Sequence, residues 1–491
     1  MNSRPNILHI FTDQQRFDSI AALGNGVIKT PALDRIANEG AAFTSAYTPS
    51  PVCAPARCSM IYGQYMMRTK CYENGYAMPD DRESFMGVLT DAGYRTHGIG
   101  KCHFTRDKYA LRGFESREIQ EEIPARASDD YTRYLAANGW GELPEPHGVR
   151  GEMYYVPQVS VLPAEHHPTQ WVGDRSVAFV EERRNESRPW YLFASFIHPH
   201  PAFAPPVPWH KLYRAPNMPL PRVPQDSEAL HTYINRFQNR YKYRDQGIDN
   251  NLMRNIKAHY YACISFVDYQ VGRILEALER TGELDNTLIL FTADHGEHLG
   301  DYNCFGKRSM HDTASRIPLL VRQPGRFEGG ARCDAVVNLV DLMPTFLSAA
   351  GATTDQPTDG VDLHDVLTER TDRTAVYTQY RTAEQGMYTI VTSRWKYTYS
   401  APDDQEYLFD RTADPEETRN RAALLTNADA LEHMRRRLID FLRSGGELNA
   451  IDGEKWRRYP RLDVPTDPDA NLIFQDTPGF ELNLPGYTDA P

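Results

Sequence analysis

The sequence predicts an α/β architecture: a large, mostly parallel sheet sandwiched by helices, with a smaller α+β subdomain behind it. Three observations carry this. Short apolar runs alternate with amphipathic ones through most of the chain. Four of the apolar runs end in polar residues of catalytic type, as strands do where a parallel sheet presents its C-terminal edge. After Asp372 the pattern changes to short strand-like runs with turns between them.

In chain order, Asn6 to Phe11 reads as a buried strand running into Asp13 and Gln14. Thr30-Pro31 opens a helix, an N-cap followed by Pro at the first position; Leu33, Ile36 and Ala37 form its apolar face and Gly40 ends it. Asp80 and Glu83 have capping-box spacing ahead of Phe85, Val88 and Leu89, and Gly93 closes that helix. Tyr94 to Ile99 is a strand running into Lys101 and His103, and Trp190 to Ile197 runs into His198 and His200. Asp268 to Arg280 is a helix, with Val271, Ile274, Leu275 and Leu278 on one stripe and Gly282 as its stop. Thr287 to Thr292 runs into Asp294 and His295.

Trp140 to Pro168 and Pro201 to Asn251 are Pro-rich, aromatic-rich or polar, and read as insertions shaping a pocket mouth. Beyond Asp372, strands are expected at Ala375–Tyr377, Met387–Val391, Trp395–Tyr399 and Glu406–Asp410, and a helix at Asn427–Leu442. The expected organisation is a catalytic α/β domain over 1–371, an α+β subdomain over 372–450 and an extended Pro-rich tail over 451–491.

Composition narrows the function classes. The chain has 491 residues, 41% hydrophobic and 24% charged, with a net charge of −12. That charge argues against a general attraction to nucleic acid or an anionic membrane, so an anionic substrate needs locally concentrated positive charge. No apolar run approaches membrane-spanning length, and Met1 to Pro5 leads straight into the first strand with no signal peptide. Seven scattered cysteines do not read as a disulfide framework. The expectation is a reduced cytoplasmic protein with no nucleic-acid or membrane partner, the homo-oligomeric state left open.

Cys53-Ala54-Pro55-Ala56-Arg57 has the pattern C-x-P-x-R, and Cys58 to Tyr65 follows it with a short helix and a Gly turn. This resembles the activation motif of the type I sulfatases, within the alkaline-phosphatase-like superfamily. The resemblance continues through Asn6 to Gln14, Gly98-Ile99-Gly100-Lys101-Cys102-His103, Pro199-His200-Pro201, Thr292 to Gly296, Gly306-Lys307 with Arg316 to Val321, Leu339 to Thr345, and Glu406 to Asp410 with Asp414-Pro415-Glu416. Each motif is moderately specific; their order along the chain is the stronger signal. Three departures stand out: Gln14 where many members have a second acid, His295 where many have Asn, and Pro directly after His200. The first two are similar to choline-sulfatase and phosphonate monoester hydrolase members.

The resemblance implies that Cys53 is converted by a separate formylglycine-generating maturation enzyme to an aldehyde whose hydrate attacks the sulfur of a small sulfate ester. It implies one divalent metal held by Asp13, Gln14, Asp294, His295 and residue 53, calcium in the first instance and manganese as the alternative. Arg57 would steady the aldehyde hydrate. Lys101 and Lys307 would bind the sulfate oxygens. His103 would act as the base that releases sulfate, and His200, with Lys307, would assist leaving-group departure. His198 is expected one layer out, and His298 and His311 in packing or rim positions. Cys58 and Cys102 read as small packing residues. Tyr233, Arg236, Phe237, Arg240, Tyr241, Lys242, Tyr243 and Arg244 interleave aromatics with bases and read as an exposed helix or subunit contact, with a lid over the substrate as the alternative. Three functions stay open: a sulfatase, a phosphonate monoester or phosphodiester hydrolase on the same site, and an inactive binding protein whose Cys53 is unmodified.

Overall fold

The structure is a computed structural model describing residues 4–122, 128–150, 155–184, 186–242 and 249–466. Its large sheet is built from β1 (Asn6–Thr12), β2 (Ala41–Tyr47), β3 (Arg95–Gly100), β4 (Ser116–Ile119), β5 (Trp190–Phe196), β6 (Thr287–Ala293), β7 (Arg316–Ile317), β8 (Leu319–Arg322) and β9 (Ala331–Asn338). The strand order is β4-β3-β5-β1-β6-β8-β2-β7, with β9 beside β2. The run β4-β3-β5-β1-β6 is parallel throughout; β8 is antiparallel to both β6 and β2.

Both faces of this sheet are covered, which is why β1, β5 and β6 read as continuous apolar runs. Along β1, Ile7 and Phe11 face one core with helices Phe85–Asp91 and Leu342–Ala350. Leu8 and Ile10 face the other, with helices Pro31–Glu39, Pro168–Glu182 and Asn250–Thr281. A second, antiparallel sheet follows: β10 (Val376–Tyr380), β11 (Met387–Val391), β12 (Trp395–Ser400) and β13 (Gln405–Asp410), in that order. Helix Ala428–Ser444 packs on it through Met434, Leu438, Ile439 and Leu442.

Several local expectations are corrected. Ser84, not the Asp80/Glu83 pair, caps helix Phe85–Asp91, because its side chain is the one that accepts from Gly87 N. Thr30 stands before helix Pro31–Glu39 but bonds Asp34 instead; the first-turn amides of Ala32 and Leu33 donate to Asp268, from a helix far away in sequence. The helix expected from Asp268 begins at Asn250, where Asp249 caps it, and Gly282 ends it at a φ of 75°. Strands β2, β8 and β9 and helix Pro168–Glu182 have no counterpart in the sequence reading. Residues 467–491 of the expected tail lie outside the described residues; before them, Ile451–Asp452 and Lys455–Trp456 form a short antiparallel pair.

Candidate active site

The parallel register aligns the four strand ends. Thr12 lies beside Phe196 and Ala293, and Gly100 beside Ser195, so Asp13, Lys101, the His198–His200 segment and Asp294 leave the sheet along one edge. Cys53 reaches the same edge from β2. It is the first residue of helix Cys53–Tyr62, whose N-terminal end is a favourable place for negative charge. The loop leading to it is held on several sides: Thr378 Oγ1 donates to Thr48 O (2.7 Å), Gln379 N to Pro49 O (2.9 Å) and Arg308 N to Pro51 O (2.9 Å).

Around Cys53 Sγ lie Lys307 Nζ at 2.8 Å, His295 Nε2 at 3.2 Å and Asp13 Oδ1 at 3.6 Å. Burial and Asp13 push the thiol up, but Lys307, Lys101 and His295 outweigh them and bring it to about 7. Donor atoms of Asp13, Cys53, Asp294 and His295 all lie within 4.8 Å of one another. His295 Nδ1 is 3.0 Å from Gly296 O, an acceptor, so Nδ1 carries a proton and Nε2 faces the cluster. Burial and Lys307 push the ring down, but Asp294 and Cys53 outweigh them and raise it; Nε2 offers a lone pair once deprotonated.

Gln14, with a left-handed φ of 66°, donates its backbone N–H to Asp294 Oδ1 at 3.0 Å. Its Nε2 donates to the carboxylate of Glu297, which fixes the amide's orientation. Its Oε1 is buried and has no hydrogen-bond partner among the described residues. Two carboxylates, one imidazole, one unpartnered amide oxygen and the atom at position 53 make a donor set that fits a divalent cation.

Arg57 lies one helical turn below Cys53 and is buried. Its guanidinium donates to Asp294 Oδ2 (2.9 Å), Asp13 Oδ2 (3.2 Å), Lys101 O (2.7 Å) and Ser195 Oγ (3.3 Å), so two of these contacts go to the acids that face residue 53 and two to the neighbouring strand ends. Lys101 Nζ donates to Asp13 Oδ2 at 2.6 Å and to Glu122 Oε2 at 2.5 Å. Burial pushes Asp13 up, but Lys101, His200, Lys307 and Arg57 outweigh it and hold the carboxyl well below its ordinary range. For Asp294, burial and the nearby Asp13 prevail and the carboxyl is raised.

His103 also sits at a left-handed φ, 52°, held by its backbone N–H on Glu121 Oε1 at 3.1 Å. Its Nδ1 is buried without a hydrogen-bond partner among the described residues, and burial, then Lys101, push the ring down to about 4. His200 places Nδ1 2.7 Å from Pro201 O and Nε2 3.4 Å from Glu122 Oε1. His198 turns away, bonding Thr169 Oγ1 at 3.0 Å and stacking on His167. His298 bonds Thr313 and Asn235, and His311 stacks on Tyr302, both apart from Cys53.

The helix expected to be exposed, here Tyr233–Lys242, instead buries Ile234 and Phe237 against Val52, Met310 and Tyr380, and Gln238 Nε2 donates to Lys307 O at 2.7 Å. Arg236 is its outward base, paired with Asp403. The side chains of Tyr241, Lys242, Tyr243 and Arg244 lie outside the described residues.

Three residues join the cluster that the sequence reading passed over. Glu297 orients Gln14, and also accepts from Tyr155 OH at 3.0 Å. Asn74 Oδ1 accepts from Ala54 N at 3.0 Å, capping the helix that carries Cys53, while its Nδ2 is buried without a hydrogen-bond partner among the described residues. Glu122 lies between Lys101 and His200. Of these, Glu297 had a sequence signal, its place directly after Asp294-His295-Gly296.

The chain is similar to known proteins over most of its length. The sulfatase family model matches residues 5–352, and a model of the N-sulphoglucosamine sulphohydrolase C-terminal region matches 300–444. The chain is 30% identical to an arylsulfatase of Clostridium perfringens, over 93% of this chain and 98% of that one. It is 32% identical to a choline-sulfatase of Rhizobium meliloti, over 85% and 82%. The phosphonate monoester hydrolase of Agrobacterium radiobacter shares the fold, with a TM-score of 0.79 at 24% identity, over 91% of this chain and 98% of that one. No helix among the described residues is long and apolar enough to cross a membrane.

Proposed function

Given that the chain belongs to the sulfatase family of sulfuric ester hydrolases, we propose that it hydrolyses a small sulfate monoester, using residue 53 converted to formylglycine and one divalent cation. Asp13, Gln14, Asp294 and His295 would hold that cation together with residue 53. Calcium, or manganese given the imidazole, would supply a Lewis acid beside the ester oxygens. The hydrated aldehyde would supply the attacking hydroxyl.

The chain's own residues do the rest. Lys101 and Lys307 concentrate positive charge at residue 53 within a chain of net charge −12, which is what a monoanionic ester needs. Arg57 holds Asp13 and Asp294 in place from below. His103, neutral at pH 7, can take a proton at Nδ1, where no protein group competes among the described residues. His200 has Nδ1 facing Pro201 O and Nε2 beside Glu122, so Nε2 is the nitrogen that would serve the leaving group.

The observation that carries the reading is the position of Cys53: first residue of a helix, with Sγ between Lys307 Nζ and His295 Nε2 and beside two acids. The test is the mass of the peptide containing residue 53, from protein made with and without a formylglycine-generating enzyme. It is paired with kcat/KM on 4-nitrophenyl sulfate and bis(4-nitrophenyl) phosphate. Conversion that tracks activity, with the sulfate ester preferred, is expected. Full activity with an unmodified cysteine would sink the nucleophile. A phosphodiester preference would replace the substrate class with the second reading, which Gln14 and His295 leave open.

A further inference from the structure

Glu122 follows the edge strand β4 and enters the site from outside the four strand ends already described. Its buried carboxylate faces three nitrogen groups. Oε2 accepts from Lys101 Nζ at 2.5 Å; Oε1 accepts from Arg150 Nη1 at 2.6 Å and lies 3.4 Å from His200 Nε2. A buried carboxylate without partners is costly, and here the partners decide its state. Burial pushes it up, but Arg150, His200, Lys101 and Lys307 outweigh burial and hold it well below the ordinary carboxylate range.

Two geometric limits define what its neighbours can do. An ammonium has three N–H groups. Asp13 and Glu122 take two of those on Lys101, so the third is left for a substrate oxygen. The Nδ1 of His200 faces a carbonyl, so Nε2 is the nitrogen that exchanges a proton, and Glu122 lies beside it. Burial, with Lys307 and Lys101, holds the His200 ring well below its ordinary value, and Glu122, ahead of Asp13, is the strongest group favouring a proton there.

We propose that Glu122 is a positioning residue that couples Lys101 to His200, aiming the remaining N–H of the ammonium at the ester and favouring a proton on His200 Nε2 for the leaving group. This rests on the sulfatase reading above. As the ionised hydroxyl of the converted residue 53 bonds to sulfur, the ester S–O bond breaks; its electron pair goes to the leaving oxygen and the Nε2 proton goes to the same oxygen. His200 is left neutral, with its Nδ1 proton still on Pro201 O, and takes a proton from solvent before the next turnover. The carboxylate of Glu122 stays ionised throughout.

The test compares wild type, Glu122→Gln and Glu122→Ala on 4-nitrophenyl sulfate, a good leaving group, and phenyl sulfate, a poor one. Gln keeps the shape and an acceptor for Lys101 but removes the charge beside Nε2. It is expected to lower kcat by roughly tenfold on the nitrophenyl ester and roughly a hundredfold on the phenyl ester. Ala is expected to add a rise in KM on both, because Lys101 loses an anchor. Equal losses on the two esters in Glu122→Gln, with thermal melting unchanged, would overturn the coupling to His200; no loss would overturn the proposal entirely. If wild type turns over no sulfate ester, the sulfatase reading fails separately, and the same two leaving groups on phosphodiesters decide the role of Glu122.

Discussion

Two of the buried lysines among the described residues each sit between two carboxylates. Lys101 lies at the sheet edge between Asp13 and Glu122. Lys396, on β12 of the second sheet, lies 2.7 Å from both Asp312 and Glu417. The difference is in what is left over. Lys396 also reaches Ser315 Oγ at 3.4 Å, so three protein oxygens lie around its ammonium, and Tyr47, Arg316 and Arg411 add to the charge and hydrogen bonding at Asp312. Lys101 has two acceptors among the described residues and a third N–H without one. Gln14 Oε1, Asn74 Nδ2 and His103 Nδ1 are likewise buried and unmatched among the described residues. A buried charge alone does not mark a site. A buried charge with capacity to spare, among other groups with capacity to spare, does.

Substituting the two lysines tests that contrast directly. Lys101→Ala is expected to lower kcat/KM by about 10²–10³-fold, the usual effect of removing one oriented donor from a reacting anion. Lys396→Met is expected to leave turnover per folded molecule near wild type while reducing the unfolding free energy by about 3–5 kcal/mol, because two acids lose their shared cation. Denaturant titration beside steady-state kinetics reads both. If Lys396→Met silences the enzyme at full stability, or Lys101→Ala only destabilises it, the distinction fails.

Cation removal sharpens the same contrast. Asp13 and Asp294 are buried side by side, and Asp294 is already raised by burial and by Asp13. Chelation is expected to abolish activity and lower Tm, and restoring calcium or manganese to about a thousandfold above Kd should return about 4 kcal/mol. Asp294→Asn should show little of that Tm response. An equal response in the variant would place the cation elsewhere.

The part of this site that was legible in the sequence is the part built locally. A buried strand followed at once by Asp13, Lys101, His200 or Asp294 carries its own signal, because the sheet that aligns them is implied by the alternation of elements. Cys53, Arg57 and Lys307 were legible from motif resemblance rather than from any pattern that places them. Glu122, Asn74 and Glu297 were not seen, since each works by reaching across the fold to a side chain or amide distant in sequence. The same limit explains the elements. Strand β4 is too polar to read as a buried strand, β2 opens on two small alanines, and the cap of helix Pro31–Glu39 comes from Asp268, more than two hundred residues away in the chain.

That distant cap yields the smallest expected effect. Asp268 accepts from Leu33 N at 2.8 Å and Ala32 N at 3.2 Å. Burial nevertheless pushes its carboxyl from an ordinary 3.8 up to about 7. The native state therefore keeps a proton that the unfolded chain releases, and stability falls as pH rises from about 4 to about 7, with the full cost present above 7. Asp268→Asn removes the charge and keeps an acceptor for Leu33 N. It should raise Tm by about 1–3 °C at pH 8 and by less at pH 5, where wild type is protonated. Unlike Glu122 or Asp13, this acid has no cation as its partner in the contacts above, so its removal should help rather than harm. A variant less stable than wild type at every pH would mean that the two amide bonds outweigh burial, and that a buried acid needs only backbone donors, not a lysine, to be held ionised.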